Sequence, residues 1–236
     1  MLKLTNVSKS YKNKLAIDNI SLEINKGEIF GFIGHNGAGK TTTIKSIVGI
    51  HNFEKGDILI NSNSIKTNPI ECKNDIAYIP DNPDFYESLT GIQYLNFIAD
   101  IFKIDKSKRQ NLIQKYSRIF EIEQDLGNII SSYSHGMKQK LAIISALIHS
   151  PKVLILDEPF VGLDPKASFT LKEIMKDFCN NGGCIFFSTH VLEVAEKICD
   201  KIAIIKDGKI LAYGTTSEVK GEKSLENMFM ELIENE

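Results

Sequence analysis

The sequence predicts an α/β fold with a helical insertion, on three observations. Apolar runs with the length of buried parallel strands occur at residues 28–33, 153–156, 184–188 and 202–205. Apolar residues at helical spacing follow the first run, at Ile44, Ile47 and Val48. Helical spacing then dominates residues 83–150. We expect a single domain with an α/β core of residues 1–82 and 151–236 and an inserted helical subdomain of residues 83–150.

The N-terminal part of the chain alternates as half-buried strands do. Residues 2–7 predict an opening strand, and residues 20–24 predict a second one. A hairpin is expected at Lys55-Gly56-Asp57, with a strand directly after it, and another short strand is expected at residues 75–79. We expect an antiparallel β subdomain beside a mixed or parallel main sheet.

The C-terminal segment is typical of an amphipathic helix. Its apolar residues share one helical face: Leu225, Met228, Phe229, Leu232 and Ile233. Ser224 is suited to cap the N-terminus of this helix. We favour a surface helix docked on the core over a helix that binds a partner.

Composition is that of a soluble globular protein. Hydrophobic residues make up 42% and charged residues 25% of the 236 residues, and the formal net charge of −2 gives no general attraction to nucleic acid. No stretch approaches the roughly 18 apolar residues that a membrane span needs, and the N-terminus lacks the apolar region of a signal peptide. We expect a cytoplasmic protein. The four cysteines have no Cys-x-x-Cys spacing, so packed, reduced thiols are expected.

A glycine-rich loop between the first buried strand and a helix predicts a phosphate site. Its residues are Gly34, His35, Asn36, Gly37, Ala38, Gly39, Lys40 and Thr41, with Thr42 next in the chain. Such a P-loop wraps a phosphate with backbone N–H groups, which requires unusual φ/ψ angles and no Cβ in the way. The lysine supplies positive charge to the β- and γ-phosphates, and the threonine hydroxyl supplies a ligand to Mg²⁺. The loop therefore predicts ATP binding.

A second element supplies the carboxylates that this chemistry needs. Asp157 and Glu158 directly follow the apolar run 153–156, at the carboxyl end of a predicted strand, where α/β proteins bind ligands. We expect Asp157 to hold Mg²⁺ through water. Glu158 is the candidate general base that orients the attacking water.

Three further motifs complete a family pattern. They are Tyr133-Ser134-His135-Gly136-Met137-Lys138-Gln139, Gly162-Leu163-Asp164 and Ser188-Thr189-His190. Together with the P-loop and Asp157-Glu158, they closely resemble the ATP-binding subunits of ATP-binding cassette (ABC) transporters. The resemblance covers essentially the whole chain in the family's motif order. It implies a P-loop NTPase fold.

The resemblance also implies roles for individual residues. Tyr11 resembles the aromatic residue that stacks on adenine, and His190 resembles the switch histidine that contacts the γ-phosphate and positions water. Ser134 and Gly136 resemble the signature residues that reach the ATP of a second subunit in a head-to-tail dimer. Asp164 would lie at that dimer interface.

Two departures from the family pattern bear on the site. Asp81 stands where most members have the glutamine that offers a neutral carbonyl to Mg²⁺. Asp81 either binds the metal through water or leaves this role to Asn82. His135 and Met137 replace the usual glycine and glutamine of the signature, whereas Ser134 and Gly136 are kept.

The resemblance implies a transport-coupled ATPase that acts with separate transmembrane permease subunits. The permease would dock near residues 81–89, and the chain would sit at the inner face of the membrane. The signature is most similar to that of the branch serving exporters and ABC-2-type permeases. The alternative is a soluble cassette ATPase acting on ribosomes or DNA, but the chain has one P-loop and no basic block. A binding-only cassette is a third possibility, against which Glu158 argues.

Overall fold

The computed structural model describes residues 1–12 and 14–234. Its strands are β1 (Leu2–Tyr11), β2 (Lys14–Ile24), β3 (Ile29–Ile33), β4 (Lys55–Ile60), β5 (Asn63–Ser64), β6 (Ile76–Ile79), β7 (Val153–Asp157), β8 (Cys184–Thr189), β9 (Lys201–Lys206) and β10 (Lys209–Thr215). Its α-helices are α1 (Lys40–Ile47), α2 (Pro69–Asp75), α3 (Gly91–Ile101), α4 (Lys106–Ile119), α5 (His135–Leu147), α6 (Pro165–Asn180), α7 (Leu192–Ile198), α8 (Thr216–Lys220) and α9 (Leu225–Glu234).

The strands form two sheets, as the predicted fold class requires. The four-stranded antiparallel sheet has the order β2-β1-β4-β5, and the six-stranded sheet has the order β10-β9-β3-β8-β7-β6. In the larger sheet the pairs from β9 to β6 are parallel, and β10 adds an antiparallel edge. The carboxyl ends of the parallel strands therefore meet at one edge.

The hydrophobic core lies on both faces of the six-stranded sheet. In β3, Ile29 and Ile33 pack with the helices on one face, while Phe30 and Phe32 pack toward the four-stranded sheet on the other. The ring of Phe186 lies 5.7 Å from that of Phe30 and 5.2 Å from that of Phe32. Burial on both faces explains why the strand sequences are continuously apolar rather than alternating.

The predicted hairpin at Lys55-Gly56-Asp57 is wrong. These residues belong to β4, which pairs with β1, and the chain reverses instead at Asn61 and Ser62, whose φ angles are 49° and 72°. Positive φ at both central residues is the requirement of a tight hairpin turn. Gly56 lies at a register shift, where a Cβ would come within 2.3 Å of the Thr5 carbonyl oxygen. Gly56 is therefore required by a β-bulge rather than by a turn.

Three α-helices occupy most of the segment between β6 and β7. Thr90 and Gln93 form a capping box at the start of α3, and the Ser134 side chain caps α5 by accepting the Met137 N–H. Helix α5 leads into β7, which pairs directly with β6. The division into a core and a helical subdomain stays a prediction.

The C-terminal helix α9 is docked as expected. Leu225 is fully buried, and Phe229 and Leu232 pack against the core. The Ser224 hydroxyl accepts the Asn227 N–H at 3.3 Å, so it caps the helix.

The four cysteines are buried, in line with their predicted role as packed thiols. Burial raises the pKa of the Cys179 and Cys184 thiols to about 12. Among the described residues, no helix combines the length and apolarity that crossing a bilayer would require.

Candidate functional site

The predicted site residues gather where three neighbouring strands end. β3 runs into the loop of residues 34–39, β7 ends at Asp157, and β8 ends at Thr189. Parallel pairing of β3 with β8 and of β8 with β7 brings Lys40, Glu158 and His190 to the same edge. The topology thus assembles residues that are separated by up to 150 positions in the chain.

The glycine-rich loop is held tightly against its surroundings. Gly39 has a φ of 112°, which L side chains rarely adopt, and a Cβ there would lie 2.6 Å from the Ala16 carbonyl oxygen. A Cβ at Gly34 would lie 2.5 Å from the Ile205 carbonyl oxygen. The loop therefore has the backbone freedom and the close packing that a phosphate cradle requires.

Lys40 begins α1, and its ammonium group turns back over the loop. Its Nζ donates to the Gly34 carbonyl at 2.6 Å and to the His35 carbonyl at 3.3 Å, and it lies 3.9 Å from Glu158 Oε1. Burial lowers the pKa of Lys40, while the carboxylates of Glu158 and Asp157 oppose that shift. A positive charge is thus held at the point where the loop and the carboxylates meet.

Asp157 is 3% exposed and is satisfied by two hydroxyl groups. Thr41 Oγ1 donates to Asp157 Oδ2 at 3.1 Å, and Ser188 Oγ donates to Asp157 Oδ1. The contact with Thr41 places a hydroxyl and a carboxylate side by side, which suits a hard cation such as Mg²⁺. The sequence did not predict a contact of Ser188 with Asp157. The available signal was the position of Ser188 two residues before His190.

Glu158 and His190 form a second pair beside Lys40. His190 Nδ1 lies 2.8 Å from Glu158 Oε1. Glu158 has a φ of 50° and donates its N–H to the Ser188 carbonyl at 3.1 Å, so the chain turns sharply after β7. The Glu158 side chain lies toward the loop, since its Oε1 is 3.9 Å from Lys40 Nζ. A non-glycine residue at positive φ must be held there by its surroundings.

A cavity of about 320 Å³ opens over the loop. Its lining includes Tyr11 and residues of the segments 35–37 and 39–42. Ala38 is buried, so its side chain takes no part. The Tyr11 ring is half exposed and meets the His51 ring edge-on, with 5.8 Å between centroids. An aromatic side chain at the rim of this cavity can stack on a base.

The cavity has a further wall that sequence reasoning did not find. Residues 14–16 of β2 and the turn Asp207-Gly208 also line it. Gly208 donates its N–H to the Ala38 carbonyl at 2.8 Å and accepts the Asp18 N–H at 2.9 Å. The sequence did predict a turn at Lys206–Lys209. Nothing in its composition indicated that the turn closes onto the P-loop.

The remaining predicted residues lie outside this cavity. Ser134 is the exposed N-cap of α5, and Gly136 lies in the first turn of that helix. Asp164 caps α6 and forms an ion pair with Lys140 at 3.1 Å. Asp81 is exposed and follows the end of β6. The pKa of Tyr78 is raised mainly by burial, then by the Asp157 carboxylate and least by the Asp81 carboxylate. The roles of these four residues stay predictions.

Comparisons with known proteins bear on the family and the fold. The ABC transporter family model matches residues 17–161. The ABC-type transporter ATP-binding protein EcsA of Bacillus subtilis (strain 168) is 32% identical and covers 100% of this chain and 98% of its own length. The bacitracin transport ATP-binding protein BcrA of Bacillus licheniformis is 34% identical over 89% of this chain and 68% of its own length. A solved structure of the ATP-binding subunit of an ABC transporter superposes with a TM-score of 0.95 at 33% identity, covering 99% of both chains.

The family resemblance and the fold class predicted from the sequence are thereby confirmed. The match to the family model and the match to EcsA both span the P-loop and the signature segment of this chain. The chain belongs to the ABC transporter family, as one of its ATP-binding subunits.

Proposed function

We propose that this chain hydrolyses ATP to power a separate membrane permease. The observation that carries the proposal is the contact chain His190–Glu158–Lys40 beside the P-loop, with distances of 2.8 and 3.9 Å. A carboxylate oriented by an imidazole next to a phosphate-binding lysine suits the activation of water for attack on a γ-phosphate.

The residues present fit ATP and Mg²⁺. The cavity over the loop has a half-exposed aromatic residue, Tyr11, at its rim and Lys40 at its base. In the described part of the chain, no cluster of three or more acidic, histidine or cysteine side chains could hold a metal. Mg²⁺ takes only one or two carboxylates together with phosphate oxygens, so Thr41, Asp157 and Asp81 are sufficient candidates. When bound, the ion would neutralise charge on the phosphates.

In the proposed hydrolysis, Glu158 accepts the proton of the attacking water. His190 holds the Glu158 carboxylate through its Nδ1 contact, and the exposed part of its ring would contact the γ-phosphate. Lys40 and the N–H groups of residues 37–42 stabilise the negative charge on the phosphates, with the N-terminus of α1 adding its dipole. Each role is assigned to a group that the fold already places at this edge of the sheet.

The second half of the site is proposed to come from another ATP-binding subunit. A single P-loop covers one side of the γ-phosphate and leaves the other side open. Ser134 and Gly136 begin α5 on an exposed surface, where a hydroxyl, backbone N–H groups and a helix N-terminus can meet a phosphate. Two ATP molecules would then join two subunits, with Asp164 at their interface.

The permease is proposed to dock beside the segment 81–89. Large apolar side chains are exposed in this segment and on the following helix α3: Tyr86 by 61%, Phe97 by 41% and Ile101 by 56%. The rings of Tyr86 and Phe97 meet edge-on at 5.6 Å, so they form one patch. Exposed apolar patches mark interaction surfaces. The names of EcsA and BcrA describe transporter components, and that of BcrA describes bacitracin transport. We place this chain with exporters, at the inner face of the membrane.

Affinity purification from detergent-solubilised membranes tests this assignment. We expect the tagged chain to recover a polytopic membrane protein, identified by mass spectrometry, and its ATPase activity to rise in that complex. Recovery of ribosomes or DNA without any polytopic protein would instead support the soluble alternative. The matched control is a chain with Tyr86→Ser and Phe97→Ser, which should lose the membrane protein while keeping its fold.

Replacement of Ser188 tests the proposed metal site. Ser188→Ala removes one of the two hydroxyl donors to Asp157 and leaves that oxygen buried without a partner. We expect the Mg²⁺ concentration for half-maximal ATPase activity to rise by about 10- to 100-fold, because supporting hydrogen bonds orient metal ligands. Titration of activity with Mg²⁺ measures this. The control is Ser145→Ala, whose hydroxyl lies on α5 and donates to the Ala142 carbonyl rather than to Asp157. An unchanged Mg²⁺ requirement in Ser188→Ala would show that the Ser188 hydroxyl does not orient Asp157 toward a metal ion.

A further inference from the structure

A second polar cavity, of about 330 Å³, lies on the signature side of the molecule. One wall consists of residues of the segment 82–87, and the other consists of Tyr133, His135 and Lys138 around the start of α5. The cavity thus separates the segment after β6 from the helix that carries the signature residues. Sequence reasoning assigned no role to His135 or Lys138.

Lys138 bridges this cavity. Its Nζ lies 2.5 Å from Glu87 Oε1, with the lysine side chain 24% exposed and the glutamate 56% exposed. Two residues further along α5, Lys140 forms an ion pair with Asp164 at 3.1 Å. Helix α5 is therefore tied by one lysine to the segment 82–87 and by another to the N-cap of α6. Each pair joins α5 to a neighbouring segment, although pairs with an exposed partner contribute little to the free energy of unfolding.

His135 extends from the same cavity to the loop before α6. A Cβ at Gly162 would lie 2.1 Å from His135 Cδ2 and 2.5 Å from Nε2, so the imidazole rests directly on the Gly162 backbone. The backbone at Gly162 also approaches α5, because a Cβ at Gly136 would lie 3.0 Å from the Gly162 carbonyl oxygen. A movement of the first turn of α5 must therefore displace residues 160–164 or break these contacts.

We propose that His135 and Lys138 are positioning residues that transmit displacement of the segment 82–87 to the loop 160–164. Lys138 pulls on α5 when Glu87 moves, and His135 pushes on Gly162 when α5 moves. The importance of this link for transport rests on the proposed function, in which the segment 82–87 adjoins the permease and the loop 160–164 carries Asp164. The contacts of this link all lie within one chain, so the link can be tested in the chain alone.

Hydrogen–deuterium exchange of the free chain tests the link. We expect Glu87→Lys, which replaces an ion pair with a repulsion, to raise exchange about two- to fivefold at residues 135–138 and also at residues 160–164. Glu87 makes no described contact with the second region. The charge swap Glu87→Lys/Lys138→Glu should restore both regions. The control is Glu173→Lys, which breaks a similar exposed pair with Lys176 on α6 and should leave residues 160–164 unchanged.

Removal of the imidazole identifies the path. In a His135→Ala background, we expect Glu87→Lys to raise exchange at residues 135–138 as before but to raise it less at residues 160–164, where the Lys140–Asp164 ion pair remains. The proposal is overturned if residues 160–164 do not respond to Glu87→Lys, if the charge swap fails to restore them, or if they respond equally without His135. Because these measurements use neither ATP nor a permease, their result is independent of whether the chain hydrolyses ATP.

Discussion

Glu158→Gln is expected to lower the ATP turnover rate by about 10²–10⁴ while leaving ATP binding intact. The amide cannot accept the proton of the attacking water, so the general-base contribution is lost. The P-loop contacts do not depend on this carboxylate, because Lys40 is held by the Gly34 and His35 carbonyls. Glutamine has the same shape as glutamate, so it can keep the sharp turn after β7 and accept from His190. Phosphate release and binding of a fluorescent ATP analogue measure the two effects separately.

The matched control is Glu28→Gln. Glu28 also forms an ion pair with a lysine, Lys201 at 2.8 Å, and its side chain is similarly shielded from solvent. It precedes β3, at the edge of the sheet opposite the P-loop. We expect Glu28→Gln to hydrolyse ATP at the wild-type rate. Full hydrolysis by the Glu158→Gln protein would remove Glu158 from its proposed role, and loss of ATP binding would show that the substitution disturbs the loop.

The sequence predicted the six-stranded sheet well because its strands are buried on both faces. Burial of this kind leaves continuous apolar runs, as in residues 153–156, and the site residues follow these runs directly. The strand β4, which follows the first helix, shows where local patterns fail. The sequence predicts a turn at Gly56, but this glycine is required by a bulge against Thr5, which lies 51 positions away in the chain.

Contacts between residues distant in sequence explain why the other site features were not predicted. Asp207 and Gly208 line the cavity over the P-loop because β9, which ends just before them, pairs with β3, and no local pattern encodes that pairing. Ser188 supports Asp157 because β8 pairs with β7, with Asp157 and Ser188 in register. Turn residues and motif spacing can be seen in the local sequence. The order of strands in the sheet, in contrast, decides which residues a turn or a hydroxyl contacts.

The proposed composite site makes a prediction about assembly. In the Glu158→Gln background, ATP should accumulate between subunits, so we expect ATP-dependent dimerisation of the chain, and we expect Gly136→Asp to abolish it. A carboxylate in the first turn of α5 would face the γ-phosphate held by the other subunit. Such a like-charge contact costs about 2 kcal/mol at each site. A symmetric dimer contains two sites, so the total of about 4 kcal/mol weakens dimerisation roughly a thousandfold.

The same substitution should leave the single chain folded, because an acidic residue near a helix N-terminus is favourable to the helix itself. Gly136→Asn is the matched control: it places the same side-chain shape beside the Gly162 carbonyl without the charge. Analytical ultracentrifugation with and without ATP distinguishes the outcomes. Dimerisation of the asparagine variant but not of the aspartate variant would assign the effect to phosphate repulsion. A Gly136→Asp protein that dimerises as well as its parent would place the signature turn away from the phosphate, and the second half of the site would have to come from another surface.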